Sequence, residues 1–241
     1  MSEKERIALK ELLVEQYKES LFKFAKYGLG YAHMTKRTHG PICDALSRPS
    51  PRKLIVVPRG CFKSSICSIA YPIWLLLNNP NLRIFLDSEL YGNSKNLLRE
   101  IKGHMQSRNF RDMFGNLRSN VWNEGEIIVA TRKIIKKEAS ITCGGIGTEK
   151  TGQHYDVAII DDINSPKNSH TVEGCKKVID HYKHLQAIME HPTSSPIVVV
   201  GTRYSQNDLI GYILDNEIFD DTDSDLIHQN HKAPPVQKIF D

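Results

Sequence analysis

No apolar run in this chain of 241 residues approaches the roughly 18 residues needed for a membrane-spanning helix, so no membrane contact of that kind is expected. The charged start, Met1-Ser2-Glu3-Lys4-Glu5-Arg6, has no apolar stretch behind it and does not read as a secretory signal. Cysteine is scarce: Cys43, Cys61, Cys67, Cys143 and Cys175 are odd in number and lack C-x-x-C spacing. That argues against a zinc ribbon or a disulfide framework and fits reduced thiols in a cytoplasm. His181 and His184 share a helix face, but nothing near them in sequence completes a metal site, so a solvated helix surface is expected. There is no internal repeat and no low-complexity segment.

Apolar and charged residues, 40% and 25%, are at levels ordinary for a folded soluble domain of this length. The net charge is only +4, but it is unevenly spread. Residues 1–118 carry 20 Lys/Arg against 10 Asp/Glu, and the remainder carries 12 against 18. A basic half suits a polyanion such as DNA, although solvated helix faces give the same signal.

The most informative segment is Val56-Val57-Pro58-Arg59-Gly60-Cys61-Phe62-Lys63-Ser64-Ser65. A β-branched run, Leu54-Ile55-Val56-Val57, ends in a tight turn, and a Lys-Ser pair then opens an apolar helical stretch. This is the strand–loop–helix layout of a phosphate-binding P-loop. Backbone N–H groups at the helix start hold phosphate oxygens, a lysine takes the outer phosphates, and a hydroxyl serves Mg²⁺. Lys63 and Ser64 supply the last two. The glycines of G-x-x-x-x-G-K-[ST] are missing, because Val57 and Phe62 stand in their places.

Along the chain, residues 3–27 read as one amphipathic helix, and 28–52, punctuated by glycine and proline, as irregular. Strands are expected at 53–57, 82–86, 157–160 and 197–200, with a β-rich stretch over 126–143. Helices are expected from about Lys63 to Leu77, with Pro72 kinking or shortening it, and near 92–107, 171–190 and 207–217. This alternation predicts an α/β fold, a mostly parallel central sheet with helices on both faces.

In such sheets ligands lie beyond the carboxyl ends of the strands. Three polar clusters fall at three such ends. Lys63-Ser64 follows the first strand, Asp161-Asp162 closes Val157–Ile160, and Gly201-Thr202-Arg203 closes Ile197–Val200. One carboxylate of the acid pair can hold Mg²⁺ while its neighbour orients and deprotonates a water. Thr202 can sense the γ-phosphate or that water, and Arg203 can carry the signal onward. Each cluster alone has a plainer reading, as a helix cap or a strand terminator. Their joint placement points to a nucleoside triphosphatase.

The segment Thr151-Gly152-Gln153-His154-Tyr155-Asp156-Val157-Ala158-Ile159-Ile160-Asp161-Asp162 resembles the large subunit of viral terminases. These are ATP-driven motors that pack double-stranded DNA into tailed-phage proheads. The loop from Pro58 to Ser64 is similar to their arginine-containing Walker A motif. Gly201-Thr202-Arg203-Tyr204-Ser205, with Asp208-Leu209-Ile210-Gly211-Tyr212, is similar to their coupling motif and the helix after it. Phe24 to Leu46 resembles the family's lead-in to the first strand, so the likeness covers about residues 20–215. It implies a three-layer P-loop NTPase of the ASCE type, with a helical lead-in over 1–52 and the ATPase core over 53–217. Residues 218–241 would be an acidic tail or linker.

The resemblance further implies that Arg59, Gly60, Cys61, Phe62, Lys63, Ser64 and Ser65 bind ATP, and that Ser64 and Asp161 hold Mg²⁺. Asp162 would be the catalytic base, where many relatives carry the longer Glu. Arg59 would report nucleotide state and Thr202 would couple hydrolysis to movement. Many relatives place a basic residue shortly before the Walker B strand to reach a neighbouring subunit's nucleotide, and Lys150 is the basic side chain nearest to that position here. Arg132 is the alternative for that charge by chemistry. The implied partners are double-stranded DNA, a prohead portal, a small terminase subunit and further copies in a ring, in the host cytoplasm. Large terminases continue into a nuclease domain. No core strand carries an acidic cluster after residue 217, so Asp220, Asp221, Asp223 and Asp225 read as a solvated tail and no nuclease activity is expected. Two other readings stand beside this one: a helicase-like DNA translocase, and a nucleotide- or DNA-binding module without turnover, for which the missing loop glycines speak.

Overall fold

The computed structural model describes residues 2–148 and 152–216. Seven strands form one mixed sheet: β1 (Arg52–Val56), β2 (Ile84–Ser88), β3 (Arg118–Trp122), β4 (Glu126–Val129), β5 (Ile141–Cys143), β6 (Val157–Asp161) and β7 (Ile197–Gly201). Their order is β1-β7-β6-β2-β5-β4-β3. The five strands from β1 to β5 in that order are parallel, and β4 and β3 extend the sheet antiparallel. The mostly parallel α/β reading holds.

Side-chain alternation explains why the central strands read as unbroken apolar runs: both faces are covered. Ile55, Ile84, Leu86, Val157, Ile159, Val198 and Val200 belong to one core. Leu54, Phe85, Ala158, Ile160, Ile197 and Val199 belong to the other. The first core is closed by the lead-in and by helices α4 (Tyr71–Asn78), α5 (Tyr91–Gln106) and α6 (Arg108–Phe114). The second is closed by α8 (Val172–Ala187) and α9 (Leu209–Asn216).

The lead-in departs from expectation in two places. The single helix over 3–27 is broken: α1 (Glu3–Glu19) stops at Ser20, whose backbone is extended and whose side chain accepts from Lys23 N–H to cap the next turn. That turn, α2 (Leu21–Lys23), passes into a wider π-helical turn at Phe24–Gly28. The stretch expected to be irregular contains α3 (Lys36–Ser47), started by a Thr35 cap. His39, Ile42, Cys43 and Leu46 line its buried face at helical spacing, and this burial outweighs the unfavourable Gly40-Pro41 pair. Tyr17, Phe24, Met34, Ile42 and Leu46 share the first core with the sheet, so the lead-in packs as part of that core.

The helix after the phosphate loop does run from Lys63 to Asn78, and Pro72 does not end it. Between Ser65 and Ala70 the helix widens, and Tyr71 N–H reaches back five residues to the Ile66 carbonyl. Pro72, which has no N–H to give, follows directly. Strand β3 and helix α6 were not foreseen: β3 is polar and half-exposed, and α6 is a short helix of seven residues that buries Phe110 against the first core. The short helix α7 (Pro166–Ser169) follows β6.

At the amino ends of the parallel strands, Arg83 is 4% exposed and meets three carboxylates: Asp156 at 2.8 Å, Glu190 at 2.9 Å and Glu138 at 3.4 Å. Hydrogen bonds and ion pairs with these carboxylates hold the Arg83 pKa up. Arg83 in turn draws Asp156 and Glu190 down, and the His154 N–H together with Arg83 draws Glu138 down, in Asp156 and Glu138 against the larger opposing effect of burial. The network ties the entry of β2 to that of β6 and leaves the carboxyl ends free for a site.

Candidate functional site

Beyond Val56 the chain turns through Arg59 and Gly60, whose φ of +87° suits glycine, and the helix begins at Lys63. Ile66 N–H is already bonded to the Phe62 carbonyl at 2.9 Å. The amides of Lys63, Ser64 and Ser65 belong to the first helical turn, where N–H groups have no acceptor within the helix. Such amides, at the positive end of a helix dipole, suit an anion.

The three strand ends meet at Lys63. Its ammonium donates to Asp162 Oδ1 at 2.9 Å and to Thr202 Oγ1 at 2.8 Å, although these residues lie 99 and 139 positions away. Beside it, Ser64 Oγ donates to Asp161 Oδ1 at 3.1 Å. The meeting follows from topology, because β7 lies between β1 and β6 and places Thr202 between the loop and the acid pair. A cavity of about 510 Å³ lined by Arg59, Gly60, Phe62, Lys63, Ser64, Ser65 and Asp162 opens over the loop, within the usual range for a small-molecule site.

The two acids differ. Asp161 is 4% exposed, and burial followed by the neighbouring charge of Asp162 pushes its pKa up to about 6, against the pull of Ser64 and Lys63. Asp162 has a side chain 52% exposed, facing the cavity. Its φ of +44° turns the chain out of the strand immediately after its N–H bonds the Val200 carbonyl. Asp tolerates this left-handed geometry better than most residues. A buried carboxylate beside a hydroxyl fits Mg²⁺, which takes one or two protein oxygens and fills the rest of its shell with phosphate and water. Among the described residues there is no cluster of three or more metal-ligating side chains.

Phe62 also has a left-handed backbone, with φ +55°. For a bulky residue this costs about 1–2 kcal/mol. Its ring packs edge-on against His39, with centroids 5.5 Å apart, and tilted against Tyr31 at 6.2 Å. Pairs of this kind contribute about 0.5–1.5 kcal/mol each, enough to offset the strain. Thus the residue standing in place of a glycine adopts a conformation that glycine takes freely.

Arg59 reaches over the cavity to donate from Nη2 to the Tyr204 hydroxyl at 2.6 Å, which links the loop to the segment after β7. Asp208, fully buried, accepts from Tyr204 N–H at 2.8 Å, Ser205 N–H at 3.2 Å and Gly211 N–H at 3.0 Å, locking that segment to α9. A Cβ at Gly211 would stand 1.9 Å from the Gln206 carbonyl oxygen, so only glycine permits this approach.

The structure therefore gathers Arg59, Gly60, Phe62, Lys63, Ser64, Ser65 and Asp162 around one cavity, with Thr202 bonded to Lys63 and Asp161 to Ser64 behind them. Cys61 lies in the loop, half-buried, and does not line the cavity. Lys150, like the acidic tail 218–241, lies outside the described residues. Arg132 sits at the opposite edge of the sheet, where Nη1 donates to the Glu138 carbonyl at 2.7 Å. Arg203 is exposed and bonds the Ser205 carbonyl at 3.2 Å. His181 departs from expectation: it is buried, and Nε2 lies 2.7 Å from Asp87 Oδ2 on β2. Sequence reasoning also passed over Tyr31 and His39, for which the aromatic Phe62 in a glycine position was the available signal. Compared with known proteins, the chain matches no family model and no curated protein.

Proposed function

We propose that this chain is an ATP hydrolase of the P-loop class, the ATPase motor domain of a viral terminase large subunit. In that role it would use ATP to drive double-stranded DNA into a prohead. The observation that carries the reading is the meeting of three separate strand ends at Lys63, within 2.9 Å of Asp162 and 2.8 Å of Thr202, with Ser64 on Asp161 beside it. The placement of β7 between β1 and β6 supports the ASCE type, and the sequence resemblance supports the terminase assignment.

In this reading the first-turn amides from Lys63 to Ser65 and the Lys63 ammonium bind the triphosphate. Ser64 and Asp161 hold Mg²⁺, whose chemistry is to neutralise charge on the phosphate oxygens. Asp162, at the cavity surface, orients the attacking water and takes its proton. Thr202 touches the same lysine and passes its position into the segment bearing Tyr204, while Arg59 links that segment back to the loop. DNA, a portal, a small subunit and neighbouring copies in a ring are the partners this role requires, and the host cytoplasm is its setting.

The test is phosphate release from Mg²⁺-ATP by the purified chain, with and without double-stranded DNA. Release that disappears in Lys63→Ala supports the reading. Nucleotide binding with no release in either condition would make the chain a binding module instead.

A further inference from the structure

We propose that Tyr31 and His39 are positioning residues for the phosphate loop. They clamp the Phe62 ring so that the backbone at Phe62 stays left-handed and the amides that follow stay aimed into the cavity. The inference rests on the nucleotide-binding reading of that cavity and makes the lead-in a working part of it.

Strained backbone persists only where surrounding structure over-determines it, and it concentrates at functional sites. Phe62 and Asp162 are the non-glycine residues with positive φ among those described, and both line the same cavity. The clamp has its own supports. His39, 6% exposed, is fixed through Nδ1, which lies 3.0 Å from the Thr35 nitrogen and 3.2 Å from the Thr35 carbonyl oxygen. The Tyr31 hydroxyl lies 3.1 Å from His104 Nε2 on α5, with the two rings edge-on at 5.5 Å. Helix α3 and the turn before it thus grip one side of the loop, and α5 braces the grip from behind. Phe62 is also the residue whose carbonyl receives the first helical hydrogen bond, so its φ and ψ set the direction of the Lys63, Ser64 and Ser65 amides.

If the ring serves to hold the backbone, glycine must replace phenylalanine better than alanine does. Alanine keeps the steric cost of a left-handed φ and loses the clamp, whereas glycine removes the cost. The full chain and its Phe62→Ala, Phe62→Gly, Tyr31→Ala, Tyr31→Phe and His39→Ala variants are titrated with a fluorescent, slowly hydrolysed ATP analogue and Mg²⁺. Urea midpoints are measured in parallel. Phe62→Ala, Tyr31→Ala and His39→Ala are expected to weaken binding about tenfold, the equivalent of the left-handed cost. Tyr31→Phe should stay within about threefold of the parent, and Phe62→Gly should bind more tightly and unfold at higher urea than Phe62→Ala. In the Phe62→Gly background, Tyr31→Ala should cost nothing further in affinity, because nothing remains to be clamped. Phe62→Gly binding no better than Phe62→Ala, or Tyr31→Ala costing the same in both backgrounds, overturns the proposal alone. A parent chain that binds no nucleotide overturns the ATPase reading and the proposal together, and the blank parent titration tells that case from the others.

Discussion

Lys63 is placed where a single side chain can serve binding and chemistry at once, 7% exposed and within hydrogen-bond reach of both a carboxylate and a hydroxyl. Lys63→Ala should therefore weaken ATP binding. Asp162→Asn should leave affinity nearly intact and reduce turnover by about 10²–10⁴-fold, the usual worth of one positioned general base. Paired equilibrium binding and steady-state phosphate release check this, and parent-level turnover in Asp162→Asn would remove Asp162 from the role. Asp161 carries a second expectation, in stability. Its pKa in the folded chain, about 6, is raised above its ordinary value of 3.8. Stability from this group is therefore fully present below about pH 3.8 and lost as pH rises through about 6. At pH 8 the ionised, buried Asp161 costs the fold up to about 3 kcal/mol. Asp161→Asn should accordingly raise the urea midpoint at pH 8 in the absence of metal, and the gain should vanish near pH 4. The same variant should lose turnover.

Elements show which features a sequence can announce. The buried strands were legible because their two covered faces leave unbroken runs such as Ile197–Val200, and the acids and hydroxyls stood out as polar residues closing those runs. The break at Ser20 and the helix α3 were harder to see. Ser20 breaks the helix by a local cap on the next turn, within a stretch whose apolar period runs on across it, whereas α3 carries Gly40-Pro41 in its middle and forms because its buried face outweighs local preference. The contact between His181 and Asp87 spans 94 positions and leaves no local pattern at all. The Arg83 network is equally invisible to periodicity, yet it has a clear energetic consequence. Arg83→Ala leaves Glu138, itself 7% exposed, and half-buried Asp156 without their cation. Breaking a buried ion network in this way costs about 3–5 kcal/mol. Urea denaturation should show that loss, while affinity for ATP in the still-folded fraction should be unchanged, because the network lies at the amino ends of the strands and the cavity at the carboxyl ends. A large change in affinity with little change in stability would contradict this division.

On the scale of the whole molecule, the cavity is open and thinly supplied with positive charge. Among the described residues lining it the cations are Lys63 and Arg59, and Arg59 is hydrogen-bonded to Tyr204. The chain's alternative source, Arg132, is held at the far edge of the sheet by the Glu138 carbonyl, so it cannot serve its own site. On the proposed ATPase reading, charge developing on the γ-phosphate oxygens would then be only partly met by the described residues of one copy. A positive charge delivered from a neighbour accounts for about 10³–10⁵-fold in rate in related phosphoryl transfers. Specific ATPase activity should therefore rise with protein concentration, and rise further when copies are assembled on a portal. Copies bearing Lys63→Ala cannot hydrolyse ATP but can still lend a charge, so mixing them with Arg132→Ala or Lys150→Ala copies should restore activity beyond the sum of the two parts. Measured over a hundredfold range of concentration, flat specific activity, together with purely additive mixtures, would mean that each copy completes its own site.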